Sequence, residues 1–294
     1  MPPPSLTVDP LSRALDEAVA GRREPLYELL TRGSRLPGTR ANDALAEAFA
    51  QASRARGTKA DAVVIAMARL SADEAPGATA LEFLPVCAVL ALGVRAAADE
   101  AVRARFLGEL HAHADDLRFR VRDAVIAALA RVGSAAGETL VTEVVSWMDG
   151  YFHAAAVLSA LGSDVWLTQI HAPGSVVARL DDAFILARDA PRSAARYPGR
   201  KALVDALGAV PALVAPRFGV ALFDLLERWA VAQDPELRAV VEANLASRRL
   251  GGRFAPEIDR VRRALSASAP PVRNPDHDVG PTRDRSGARR KKGR

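Results

Sequence analysis

Cysteine is almost absent from this 294-residue chain: Cys87 stands alone, which excludes an internal disulfide framework and any metal site built from cysteines. Aromatic residues make up only 5%. A core poor in rings has to be filled by close approach of small aliphatic side chains, and abundant alanine supplies these together with the best helix propensity. Strand formers do not alternate with polar residues over any useful length, so half-buried sheets are excluded and an all-α fold is expected. Long hydrophobic runs are missing as well. The longest uncharged apolar stretch, Phe83 to Val94, is well short of the roughly 20 residues a bilayer span requires. The opening segment MPPPSLTVDP lacks the basic and apolar regions of a signal peptide. The expectation is a reduced, cytoplasmic protein with no membrane insertion. Gly-rich phosphate loops, a serine nucleophile elbow and the kinase signatures are likewise missing, so no cofactor and no catalytic residues are expected.

What is present is helical periodicity. In Asp115 to Gly133, Val121, Ala124, Val125, Ala128, Leu129 and Val132 form one apolar stripe, while Arg118, Arg122, Asp123 and Arg131 take other faces. Asp115 and Asp116 are the expected N-terminal caps and Gly133 the expected stop. Asp234 to Leu245 repeats the pattern 116 residues later, with Leu237, Arg238, Val241 and Leu245 over Val121, Arg122, Val125 and Leu129. Weaker copies place Leu161 and Leu207 between, so that the four leucines follow at steps of 32, 46 and 38 residues. Asp99-Glu-Ala-Val102-Arg103 carries the same acidic-then-Val-Arg feature.

An acidic residue, then Val-Arg, then small and aliphatic residues ending in leucine resembles a helix of a HEAT-type repeat. That resemblance implies an α-α superhelix, a HEAT-like solenoid of stacked helical pairs, and implies binding of protein or nucleic acid. Each pair exposes an apolar stripe too small to bury alone, so neighbours stack and line an extended surface. The expected organisation is a disordered lead-in over residues 1–10, a solenoid domain over 11–268 and a disordered basic tail over 269–294. Helices are expected at Leu11–Ala20, Pro25–Arg32, Asn42–Arg54, Lys59–Leu70, Thr79–Ala97, Asp99–Ala112, Gly137–Met148, Phe152–Gly162, Val165–Ile170, Ser175–Arg188, Lys201–Val210, Phe218–Ala230, Leu237–Leu250 and Pro256–Ala267.

The formal charge of +5 sits at the end of the chain. From Val272 onward there are eight basic residues and three acidic ones, which leaves 32 of each sign in a neutral body. Function is therefore sought in the parts that depart from the repeat. Two loops place a Pro-Gly turn among basic residues: Arg32, Arg35 and Arg40 in the first, Arg192, Arg196, Arg200 and Lys201 in the second. Backbone amides exposed beside guanidinium groups suit anions or an acidic partner. The tail residues Arg289, Arg290, Lys291, Lys292 and Arg294 can attract nucleic acid by counterion release.

His111-Ala-His113-Ala-Asp115-Asp116 is similar to the HxHxDH motif of metallo-β-lactamase-type hydrolases, with Asp116 in place of the last histidine. It follows a helical stretch rather than a strand, and only His153, His171 and His277 remain elsewhere. The expectation is a polar turn between helices and no metal. Trp229 is expected in the core, and partial exposure is open for Trp147 and Trp166. The leading functional expectation is a non-enzymatic scaffold that binds an unknown protein partner through its helical-repeat surface. The alternative is a nucleic-acid-binding protein similar to the HEAT-like DNA glycosylases, for which Trp147 with Asp149, or Trp166 with Asp164, would supply the aromatic and acidic elements. Truncation at Pro271 tests the tail: salt-sensitive retention on immobilised nucleic acid is expected to vanish in the shortened chain.

Overall fold

A computed structural model describes residues 9–268, and all regular structure among them is helical. The first half holds α1 (Pro10–Val19), α2 (Glu24–Gly33), α3 (Asp43–Arg56), α4 (Thr58–Ala68), α5 (Phe83–Ala98), α6 (Glu100–His113), α7 (Phe119–Ala136) and α8 (Glu138–Glu143). The second half holds α9 (Tyr151–Leu161), α10 (Asp164–Leu167), α11 (Pro173–Arg188), α12 (Pro198–Leu207), α13 (Val210–Phe218), α14 (Val220–Ala230), α15 (Pro235–Leu245) and α16 (Ala255–Ala267). Short 3-10 turns lie at Ala80–Glu82, Val145–Asp149, Arg192–Arg196 and Gly252–Phe254.

The helices stack in two layers. One row runs α3, α5, α7, α9, α12 and α15, each packed on the next. The other side carries α4, α6, α8, α11, α14 and α16. Leu129, Leu161, Leu207 and Leu245 fall on four consecutive members of the first row and all are buried. Glu47 on α3 and Arg131 on α7 meet in a bidentate ion pair, 2.7 and 2.8 Å, across the helix between them. Both side chains therefore project from the same face of the row, over α5, the face taken below as the inner one of the superhelix.

Small residues make the row possible. A Cβ on Gly93 of α5 would lie 2.5 Å from Ala128 Cβ and 2.7 Å from Ala128 Cα on α7, so the two backbones approach at the near limit of helix packing. Gly133 has a similar duty, which corrects its expected place as a helix stop: α7 runs through it to Ala136, because a side chain there would overlap the ring of buried Trp166. The stop is Gly137, whose φ of +58° suits glycine.

α5 itself is longer than its uncharged run suggests. Ala80–Ala98 is a 19-residue helical segment, long and apolar enough to cross a membrane by length and composition, and 78% of its most apolar window is buried among its neighbours here. The prolines hid α13: Pro211 sits in its first turn, where the missing N–H costs nothing, and Pro216 near its end. The expected helix at Gly137–Met148 divides into α8 and a 3-10 turn, and that at Leu237–Leu250 ends at Leu245.

The Val-Arg feature has a structural meaning the periodicity did not reveal. Arg103 donates to Ala96 O, Arg122 to Asp116 O and Arg238 to Ala230 O. Each guanidinium reaches back to a carbonyl at the end of the preceding segment, satisfying an acceptor the helix leaves open. Asp99 and Asp234 cap the arginine's own helix, accepting from Ala101 N at 3.1 Å and Glu236 N at 2.8 Å. Because Arg103 belongs to one layer and Arg122 and Arg238 to the other, the motif marks junctions between helices on both layers.

Gly93→Ala is expected to destabilise the chain by about 1–3 kcal/mol, since the clash is with backbone that cannot step aside. Denaturant unfolding of the variant should show an earlier midpoint with an unchanged slope.

Candidate functional site

The concave face is a groove. Near its start Val86 and Leu90 of α5 and Ala124 and Ala127 of α7 form the floor, flanked by Thr39, Arg40 and Asp43 on one side and Phe119 and Arg120 on the other. The next recess, between α7 and α9, has Ile126, Ala155, Ala156, Ser159 and Ala202 with Phe152 and Arg122. Asp123 lines both recesses and joins them. The floor is small and apolar because these positions face inward on helices that must pack closely, so the scarcity of large side chains shapes the groove as well as the core.

The rim is set by a buried arginine. Arg118, just before α7, donates to both Asp116 oxygens at 2.8 and 2.6 Å, to Leu70 O at 2.9 Å, to Ser71 O at 3.2 Å and to Ala75 O at 3.0 Å. It bolts the connection before α5 to the turn before α7. Leu117 and Phe119, on either side of it, are turned outward at 86% and 53% exposure. Asp115 and Asp116 therefore do not cap α7 as expected: Asp116 holds Arg118, and Asp115 accepts from the Tyr197 hydroxyl at 3.1 Å. The ion pair with Arg118 and hydrogen bonds from its backbone and side chain outweigh burial and keep the Asp116 carboxyl below its ordinary range.

The two basic loops lie on the same edge of the stack, on either side of the start of α7. Arg120 Nη2 reaches Gly38 O in the first loop at 3.3 Å, and Tyr197 joins the second loop to Asp115. Their seven candidate residues divide. Arg32 pairs with Glu28 and Arg200 with Glu236, so these two are engaged in the fold. Arg35, Arg40, Arg192, Arg196 and Lys201 are exposed and make no ion pair among the described residues. Arg40 alone of the seven lines the groove. The tail candidates Arg289, Arg290, Lys291, Lys292 and Arg294 lie outside the described residues. Positive charge along the edge is broken: Glu82 binds Arg120 at 2.9 Å, and Asp115 and Asp123 stand between the loops.

Trp147 and Trp166 are both buried, which settles the question of their exposure in favour of packing; Trp166 donates to Gly137 O at 3.0 Å. Trp229 is buried against Phe184, ring centroids 5.0 Å apart, as expected. The histidines of the HxH sequence part company. His113 is buried, and desolvation holds its imidazole below the ordinary pKa. His111 turns the other way, to Asp149 and His153. Sequence reasoning did not group these three, because 38 residues separate His111 from Asp149 and no periodicity relates them.

Comparison with protein-family models finds no match, and comparison with curated proteins and with solved structures likewise finds none.

Asp123 offers a check on the groove's electrostatics. Asp123 is exposed, and its partial enclosure by the walls raises its pKa from the ordinary 3.8, against the pull of Arg122 and Arg120. A carboxyl raised in the folded state favours folding when protonated and gives up that contribution as pH climbs through its folded pKa. Asp123→Asn should therefore resist denaturant slightly better than the parent at pH 7, by a small margin because solvent screens the exposed carboxylate, with the difference vanishing near pH 3, where both side chains are neutral.

Proposed function

We propose that the chain is a HEAT-type helical-repeat module that docks a segment of a protein partner into its concave groove, and that it serves as a scaffold without a reaction of its own. The observation that supports this reading is the floor itself: small apolar side chains continue from Val86 through Ala127 to Ala156 and Ala202 on four successive helices. Such a floor matches the apolar face of a helix or an extended strip of side chains. Phe119 at the mouth is large and outward-facing, beside Arg120, and is of the residue type that anchors interfaces. Arg40 and Asp123, of opposite sign, fix the direction in which a segment lies. A reduced, cytoplasmic setting and an absence of cofactor belong to this proposal.

The alternative, nucleic-acid binding with glycosylase-type chemistry, needs a continuous positive surface, an exposed aromatic and an ionised carboxylate. Acidic side chains interrupt the basic edge, and the buried tryptophans take away the pairs Trp147 with Asp149 and Trp166 with Asp164. Phe119 and Asp123, one helical turn apart in the groove, are the remaining aromatic and acidic pair, and Arg120 and Arg122 stand beside that carboxylate.

Ala127 is exposed on the groove floor, so Ala127→Arg should fill the groove at a stability cost within about 0.5 kcal/mol. Affinity capture from native lysate, with and without nuclease, compares the two chains. Retention of a protein that survives nuclease and is lost with the arginine variant supports the scaffold. Retention abolished by nuclease favours the alternative, and retention indifferent to Ala127→Arg removes the groove from the function.

A further inference from the structure

Outside the groove, on the opposite side of α6, three potential metal ligands from three separate elements converge. His111 is in the last turn of α6, Asp149 ends the 3-10 turn Val145–Asp149, and His153 is in the first turn of α9. Their ligand atoms all lie within 4.8 Å of one another. We infer that His111, Asp149 and His153 bind one divalent transition-metal ion of the zinc class, a site independent of the groove.

The donor set selects the ion. Two imidazole nitrogens and one carboxylate oxygen suit zinc and its first-row neighbours, whereas magnesium and calcium take oxygen ligands. Three protein ligands with a further position open is the arrangement of an exchangeable or reactive site rather than a closed structural one.

The geometry needs a modest adjustment of side chains, including a tilt of the two stacked imidazoles so that both ring planes meet the ion. An Asp149 oxygen lies 2.8 Å from His153 Nδ1, and the other lies 3.1 Å from His111 Nε2. Around a tetrahedral ion with bonds of about 2.0–2.1 Å, ligand atoms stand about 3.3 Å apart. The Asp149–histidine distances open by only a few tenths of an ångström to admit the ion, and the histidine nitrogens, within 4.8 Å of one another, settle to the same separation around it.

The surroundings are built around the ligands. The two imidazoles stack with centroids 3.9 Å apart, and buried Trp147 stands edge-on to His111 at 5.0 Å, which fixes the ring orientations. Gly150, between Asp149 and His153, has an extended backbone that any residue adopts, so its lack of a side chain has a different cause. A Cβ there would lie 2.5 Å from His153 Nδ1, in contact with the donor atom itself. A recess of about 400 Å³, lined by Leu107, Glu143, Ser146 and Trp147, opens beside His111 and Asp149. It leaves room for water or an outside ligand on the ion. Glu143 faces Arg103 at 3.5 Å and is not counted among the ligands.

The test uses the full chain, stripped of metal by chelator and titrated with Zn²⁺ against a chromophoric competitor. One ion per chain is expected, and Co²⁺ in its place should show the strong visible bands of a four- or five-coordinate site. His153→Ala and Asp149→Asn should each weaken binding at least about tenfold, since even residues that merely support a ligand cost that much. His171→Ala should leave binding unchanged. If a ligand variant loses its helical circular dichroism, Gly150→Ala decides, because it keeps all three ligands and crowds Nδ1: a folded Gly150→Ala chain with weakened binding upholds the site. No Zn²⁺ bound by the parent chain, or equal affinity in folded ligand variants, overturns the inference.

Discussion

The near-contact of α5 and α7 is the constraint on which the rest of this architecture depends. With Gly93 set against Ala128, the two central helices sit close enough that the next helices in the row must also present small residues or leave gaps. The scarcity of aromatics is thus a packing requirement carried along the whole stack. Where a large ring does enter, as Trp166 beside Gly133, the facing helix gives up its side chain to receive it. The same economy that closes the core leaves the concave face shallow, smooth and apolar.

Arginine does the complementary work. With so little bulk at the junctions, the ends of helices are tied by guanidinium groups that reach several acceptors at once: Arg118 across two connections, Arg217 to Ile170 O at 2.7 Å, Arg238 to Ala230 O and Leu265 O. Asn244 performs a similar service from α15, accepting from Ala212 N and donating to Leu207 O. Removing one such partner strands buried carbonyls, so these side chains are structural even where the sequence presents them as positive charge.

Sequence periodicity made the class and the row legible, because an apolar stripe and its burial are local properties: Val121, Val125 and Leu129 predict their own environment. Junctions were not legible in the same way. Gly133 reads as a stop when the partner that demands its missing side chain, Trp166, is 33 residues away. Asp116 reads as a helix cap until Arg118 is seen to claim it, and Pro211 and Pro216 mask a helix that neighbours on two sides support. The basic loops were found by composition, and the Glu28–Arg32 pair is a local i, i+4 contact that spacing can read, whereas Arg200 meets Glu236 only through the fold. The cluster of His111, Asp149 and His153 is the extreme case, since it exists only once the turn after α8 brings residue 149 back over α6.

The pair between Glu47 and Arg131 has a further consequence. Asp43 and Glu47 are one turn apart on α3, as are Ala127 and Arg131 on α7, so the ion pair stands across the groove immediately beyond the floor residues. From Phe119 to Arg131 is about 18 Å along the helix axis. Between α3 and α7 the concave face is therefore a slot, open at the edge that carries the basic loops and barred at the far end by a bidentate gate. The pair closes that end of the recess over α5. Both residues of the pair are partly exposed, and screening by salt loosens such a pair, so ionic strength sets how firmly that end of the recess is closed.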